Sequence, residues 1–111
     1  MHNISLWAEL LNKKEKDREK LRKETLKSIL PILKRFFLAK KVEEVYLFGS
    51  ILEVGMYQRG SDIDIGVLGL KEPYFSLLSE LEDLLNKKVD LVEMEKCRFS
   101  AKIKEMGIRI K

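Results

Sequence analysis

The sequence predicts an α/β (α+β) domain with a mixed sheet of about four strands packed against helices. Three observations carry that expectation. A chain of 111 residues can bury one core but not two. Short apolar runs of strand length stand at Val45–Phe48, Asp62–Leu68 and Lys88–Met94. Between them, apolar residues recur at helical spacing, so strands and helices alternate and must cover one another. Residues 1–111 therefore read as a single domain, with a long helical N-terminal region over about residues 1–40. There is no internal repeat, linker or low-complexity tail.

Ile4, Trp7, Leu10 and Leu11 share one helical face and predict a short amphipathic segment that either packs back on the domain or serves as an apolar handle for a partner. The pattern resumes with Leu26, Ile29, Leu30, Leu33, Phe36 and Phe37, which predicts a helix over about residues 14–40. Pro31 removes one amide from it and should bend it there. Val45–Phe48 suits a strand covered on both faces, and Gly49-Ser50 ends it. Ile51–Tyr57 has helical or turn character, and Gln58-Arg59-Gly60-Ser61 is a loop. A second strand covers Asp62–Leu68. Pro73 belongs to the first turn of a helix whose buried stripe is Tyr74, Leu77, Leu78, Leu81, Leu84 and Leu85, with Asn86 as its stop. Lys88–Met94 is a third strand, Ser100–Met106 a last helical turn, and Ile108–Ile110 a short terminal strand.

The composition narrows the function classes. No apolar run is long enough to span a membrane, and Met1–Leu11 lacks the charged start and cleavage site of a signal peptide. Cys97 is the only cysteine, which excludes an intrachain disulfide and a thiolate metal cluster and suits a reducing cytoplasm. His2 is the only histidine, so neither a His-based triad nor a zinc site is expected. The net charge of +4 resides in Asn12–Lys27, with eight Lys/Arg against four Asp/Glu, while the rest of the chain balances at fourteen of each. That segment could be a nucleic-acid footprint. Its signs interleave at spacings of three and four, however, which dilutes a phosphate-binding field and favours a solvated helix. Lys40 and Lys41 suit the negative end of the long helix. Glu93 and Glu95 read as solvated, with a metal role as the lesser alternative, and Cys97 as a structural thiol.

The chemistry concentrates in "VYLFGSILEVGMYQRGSDIDIGV", Val45–Val67. Strand alternation points Asp62 and Asp64 to one face and Ile63, Ile65 and Val67 to the other. Gly66 falls on the carboxylate face and should leave open space there. In the third strand Asp90 has the parity opposite to Val89 and Leu91. If the two strands are neighbours, three carboxylates converge on one patch, which is stable only with protons or cations present. Magnesium is the natural occupant, because it prefers oxygen ligands and keeps waters for phosphates; two such ions can clamp both oxygens of a phosphoryl displacement. Gly49 lets the backbone approach an anion closely, and the amides opening the next turn, with the Ser50 hydroxyl, suit a triphosphate. The spacing is not that of a P-loop.

Gly49-Ser50, Asp62-x-Asp64 and a later strand Asp, Asp90, resemble the nucleotidyltransferase superfamily of DNA polymerase beta. More narrowly they resemble its minimal nucleotidyltransferase (MNT) members, the small partners in HEPN–MNT toxin–antitoxin pairs. "SDIDIGVL", "VDLVEM" and the ending "AKIKEMGIRIK" look similar to that group as well. The resemblance runs from the helix before Val45 to the end of the chain. It implies a small nucleotidyltransferase fold and Mg²⁺-dependent transfer of a nucleoside monophosphate, usually from ATP, to an acceptor hydroxyl. In the antitoxins that acceptor is a tyrosine of the HEPN toxin. Asp62 and Asp64 would bind both metals, and Asp90 would complete the second site and help deprotonate the acceptor. The gap Ile51–Ser61 is one residue longer than the common form, and Val54-Gly55 stands where many relatives place Arg-Gly. Arg59 could supply the absent cation, with Ser61 beside it as a nucleotide contact, or could be a solvated loop residue.

Two other functions stay open at this point. The chain could be a binding module that neutralises a partner by contact, or a nucleic-acid-modifying subunit if the basic helix matters. Short length favours dependence on a partner protein, and self-association is not decided by the sequence.

Overall fold

The computed structural model describes residues 2–111, with side chains from Leu6 onward. The order is α1 (His2–Leu38), β1 (Glu44–Phe48), a 3-10 turn (Ser50–Leu52), β2 (Ile63–Leu68), α2 (Tyr74–Leu85), β3 (Val89–Glu93), a second 3-10 turn (Met94–Lys96), α3 (Ser100–Met106) and β4 (Ile108–Arg109). The four strands form one mixed sheet in the order β3-β2-β1-β4. β1 runs antiparallel to β2 and β4, and β2 runs parallel to β3 across the α2 crossover.

One face of the sheet is the main core. Val45, Leu47, Ile63, Ile65, Val67, Val89 and Leu91 meet Ile29, Leu33 and Phe37 of α1 and Leu77, Leu81 and Leu85 of α2. These positions follow the period-two and helical patterns in the sequence, so burial and local propensity agree. The opposite face carries a smaller cluster, Tyr46, Met94 and Ile103, under α3. The row Phe48–Asp64–Asp90 crosses β1, β2 and β3 in register; the cover reaches Phe48 but leaves Asp64 half-buried and Asp90 exposed. The candidate acids Asp64 and Asp90 lie where the second core runs out.

Several expectations are corrected. The two predicted N-terminal helical segments are one helix of 37 residues, which runs through Pro31. At 1.5 Å per residue it is about 55 Å long, and it sets the 61 Å long axis of the molecule. Leu6, Trp7, Leu10 and Leu11 are exposed on it, while the side chains of His2 and Ile4 lie outside the described residues. β2 begins at Ile63, one residue after Asp62. Gly66 does not leave open space: it is buried, and an added Cβ would sit 2.9 Å from Met94 Sδ, because the second 3-10 turn folds Met94 across the strand. Leu84 is exposed rather than part of the α2 stripe. Pro73 caps α2 from outside, and Asn86 ends it in the left-handed conformation, φ +51°. Tyr57, placed in a turn by sequence, is a core residue.

Lys40 serves α2 rather than its own helix end, with Nζ 2.6 Å from the Glu80 carboxylate. At the C-terminal end of α1, Phe37 O accepts from Lys40 N–H at 3.2 Å and from Lys111 Nζ at 2.9 Å, and Lys111 Nζ also donates to Lys40 O, just past the helix, at 2.8 Å. No described helix is long and apolar enough to cross a membrane.

Candidate active site

β1 delivers the chain to Gly49, whose φ of +85° and ψ of −154° turn it sharply into the 3-10 turn. Only glycine adopts this conformation without strain. The turn is closed by Leu52 N–H donating to Gly49 O and Glu53 N–H donating to Ser50 O, both at 3.0 Å. Ile51 anchors it in the main core. Glycine is required for space as well: a Cβ on Gly49 would overlap Asp64 Oδ2 and lie 2.8 Å from Asp64 Cγ. The Ser50 N–H faces the same carboxylate.

Asp64 and Asp90 are register partners on the parallel strands β2 and β3. Burial pushes the Asp64 carboxyl up to about 6, reinforced by the charges of Asp90 and Asp62 and by contact with Asp90, and opposed by the Ser50 amide. Asp62, just ahead of the strand, is exposed, and its charge reaches Asp64. Among the described residues none of the three acids is in an ion pair. Nor are any three acid, His or Cys side chains gathered closely enough around one point to hold a metal ion. The donor set still fits a hard cation. Asp64 is half-buried with its proton affinity raised, no described lysine or arginine pairs with it, and a divalent ion would relieve it.

A cleft of ≈ 470 Å³ opens onto Gly49 and Asp90, walled by Phe48, Leu52, Phe99 and Ile103 with Lys102 at its edge. Its position beside the acids was not legible in the sequence, because it depends on how α3 docks; Lys102 has no motif to single it out. Cys97 also lines it and accepts a hydrogen bond from Phe99 N–H at 3.3 Å.

Arg59 and Ser61 do not line this cleft. Arg59 is exposed on its loop. Ser61 closes that loop locally, its Oγ accepting from Gln58 N–H at 3.1 Å while its own N–H donates to Gln58 O at 3.0 Å. Glu93 and Glu95, read as solvated, are both engaged: Glu93 pairs with Lys96 at 3.0 Å, and Glu95 accepts from Gly69 N–H at 3.0 Å. The basic stretch of α1 also contains more than a solvated face. Arg22 is buried, its Nη1 donating to Ile51 O at 3.2 Å and its Nη2 to Glu19 at 2.9 Å.

Comparison with known proteins agrees with this geometry. Residues 27–111 match the family described as "Polymerase beta, Nucleotidyltransferase". The chain is 40% identical over 80 residues to a Methanocaldococcus jannaschii protein named "Putative protein adenylyltransferase MJ1215", the match covering 64% of this chain and 91% of the relative. Among solved structures it is similar to a chain of the mutant toxin–antitoxin MntA-HpeT, at 26% identity and a TM-score of 0.56, covering 76% of this chain and 71% of that one. A chain of a toxin–antitoxin with AMP-PNP is similar at 26% identity and a TM-score of 0.53, covering 79% and 71%.

Proposed function

This chain belongs to the polymerase beta nucleotidyltransferase family, and from that premise we propose that it transfers AMP from ATP to a hydroxyl of a partner protein. The partner is a toxin of the HEPN type, silenced by adenylylation of a tyrosine. The observation that carries this reading is the facing pair Asp64 and Asp90 beside the Gly49–Ser50 bend. The adenylyltransferase name of the relative and the toxin–antitoxin setting of the structural neighbours support it.

In the proposed reaction the acceptor oxygen attacks the α-phosphorus of ATP. The bond from that phosphorus to the bridging oxygen breaks, and pyrophosphate leaves with the electron pair. Asp62, Asp64 and Asp90 would hold Mg²⁺, which neutralises phosphate charge and polarises the α-phosphoryl group. Asp90, at the mouth of the cleft, receives the acceptor proton. Asp64, held between Ser50 N–H and Asp90, positions the acid pair against the bend. Ser50 N–H and the following amides of the turn receive the phosphate oxygens, and Gly49 lets them come close. The cleft walls exclude water and orient the groups that meet there. Arg59, on its exposed loop, and Ser61 are proposed as further contacts of the triphosphate.

The test incubates the protein with ATP labelled at the α-phosphate, Mg²⁺ and the protein encoded by the neighbouring gene, beside Asp64→Asn and Asp90→Asn. Label on the neighbour with the wild type, reduced at least a hundredfold in either variant, supports transfer. A tight complex without label would replace this reading with neutralisation by contact.

A further inference from the structure

We propose that Arg22 and Glu19 of α1 are positioning residues that clamp the Gly49–Ser50 bend in its nucleotide-receiving shape. Both precede the part of the chain that matches the family. Each nitrogen of the Arg22 guanidinium is engaged: Nε and Nη2 donate to the Glu19 carboxylate, and Nη1 donates to the carbonyl of Ile51. Glu19 in turn accepts from Gly55 N–H at 2.8 Å. The two side chains therefore hold the segment after Gly49 at both of its ends.

The tie to Ile51 matters for the site. The peptide unit whose carbonyl Arg22 holds is the one whose N–H, on Leu52, donates to Gly49 O. Fixing that plane fixes the orientation of the Gly49 and Ser50 peptides, which face Asp64. The other restraints are the turn's own two hydrogen bonds and the packing of Ile51, Leu52 and Tyr57 on the core. Glu53, Val54, Gly55 and Met56 are exposed, and a Cβ built on Gly55 meets nothing within 4 Å. Arg22 is buried and each of its nitrogens donates within the protein, so it acts through the bend and not on phosphate. Glu19 is held below the usual carboxylate range by Arg22 and by the Gly55 amide, which keeps it an acceptor. A lysine would meet these partners only as a point charge, without the planar fork that serves Glu19 and Ile51 from separate nitrogens.

The role assigned to the bend rests on the proposed nucleotide site, whereas the clamp itself can be read without nucleotide. Hydrogen exchange of the full chain is compared for wild type, Arg22→Met and Glu19→Gln, together with KM for ATP, KM for the acceptor and kcat. The amides of Leu52–Gly55 should exchange at least tenfold faster in Arg22→Met, with β1 and β2 amides unchanged. KM for ATP should rise fivefold or more, with kcat and the acceptor KM within twofold. Glu19→Gln should show a smaller change in the same direction, and Arg22→Lys should restore only part of the loss. Should Arg22→Met fail to fold, Glu19→Gln carries the test. Unchanged exchange in the loop, or equal acceleration across the sheet, overturns the clamp. A wild type that transfers no label would refute the nucleotide reading and leave the exchange result to judge the clamp.

Discussion

Gly49 passes so close to Asp64 that even a methyl group on its Cα would overlap the carboxylate oxygen. The bend that ends β1 and the acid on β2 are thus one mechanical unit. Gly49→Ala should displace Asp64 and strain a backbone at φ +85°. The expected cost is about 1–3 kcal/mol of stability, measured by urea denaturation, together with loss of ATP-dependent stabilisation in thermal melts.

The raised proton affinity of Asp64 has a defined sign. Its carboxyl moves from 3.8 to about 6 in the folded protein, so between those values the folded state holds a proton that the unfolded chain has released. Metal-free stability should therefore fall as pH rises through that window and level off above about 6. Asp64→Asn should remove this slope and melt higher than wild type at pH 7 without metal, by about 1–2 kcal/mol once its half-exposed position is discounted. Stabilisation by Mg²⁺ should grow over the same interval, since the cation competes with the proton. Melting curves from pH 4 to 8, with and without Mg²⁺, check both.

Gly66 and Met94 form the second close contact. Met94 can yield a little, so Gly66→Ala should cost about 1 kcal/mol, whereas Gly66→Val should cost 2–3 kcal/mol, roughly, by driving Met94 and Ile103 off the strand. Chemical denaturation of the two variants gives the ranking.

Lys111 closes α1 from a distant point in the sequence. Lys111→Met keeps the side-chain length but removes the donors, and should lower stability by about 1 kcal/mol. The loss should shrink as salt is added, which thermal melts at low and high ionic strength would show.

The layered fold was legible because its signals are local. Val45–Phe48, Ile63–Val67 and Val89–Leu91 alternate or run apolar at strand length, and Leu77, Leu81 and Leu85 keep helical spacing. The facing of Asp64 and Asp90 followed from parity plus the parallel pairing of β2 and β3. What sequence could not convey depends on side chains meeting across long separations. Met94 fills the space left by Gly66, the Lys111 side chain rather than that of Lys40 meets the end of α1, and Arg22 leaves its charged helix face to reach Ile51. Periodicity reports which face a residue occupies and is silent about which distant carbonyl that face will meet. The charge pattern of α1 misled for the same reason: Glu19 and Arg22 look like an ordinary exposed i,i+3 pair.

The most direct measurement is a crystal structure with Mn²⁺ and a non-hydrolysable ATP analogue, using anomalous scattering to locate the metal. Anomalous density within ligand distance of Asp62 and Asp64, with the triphosphate against Ser50 N–H, is the result expected. A nucleotide bound away from the Gly49–Ser50 bend, or metal density with no oxygen from Asp62, Asp64 or Asp90, would contradict the account.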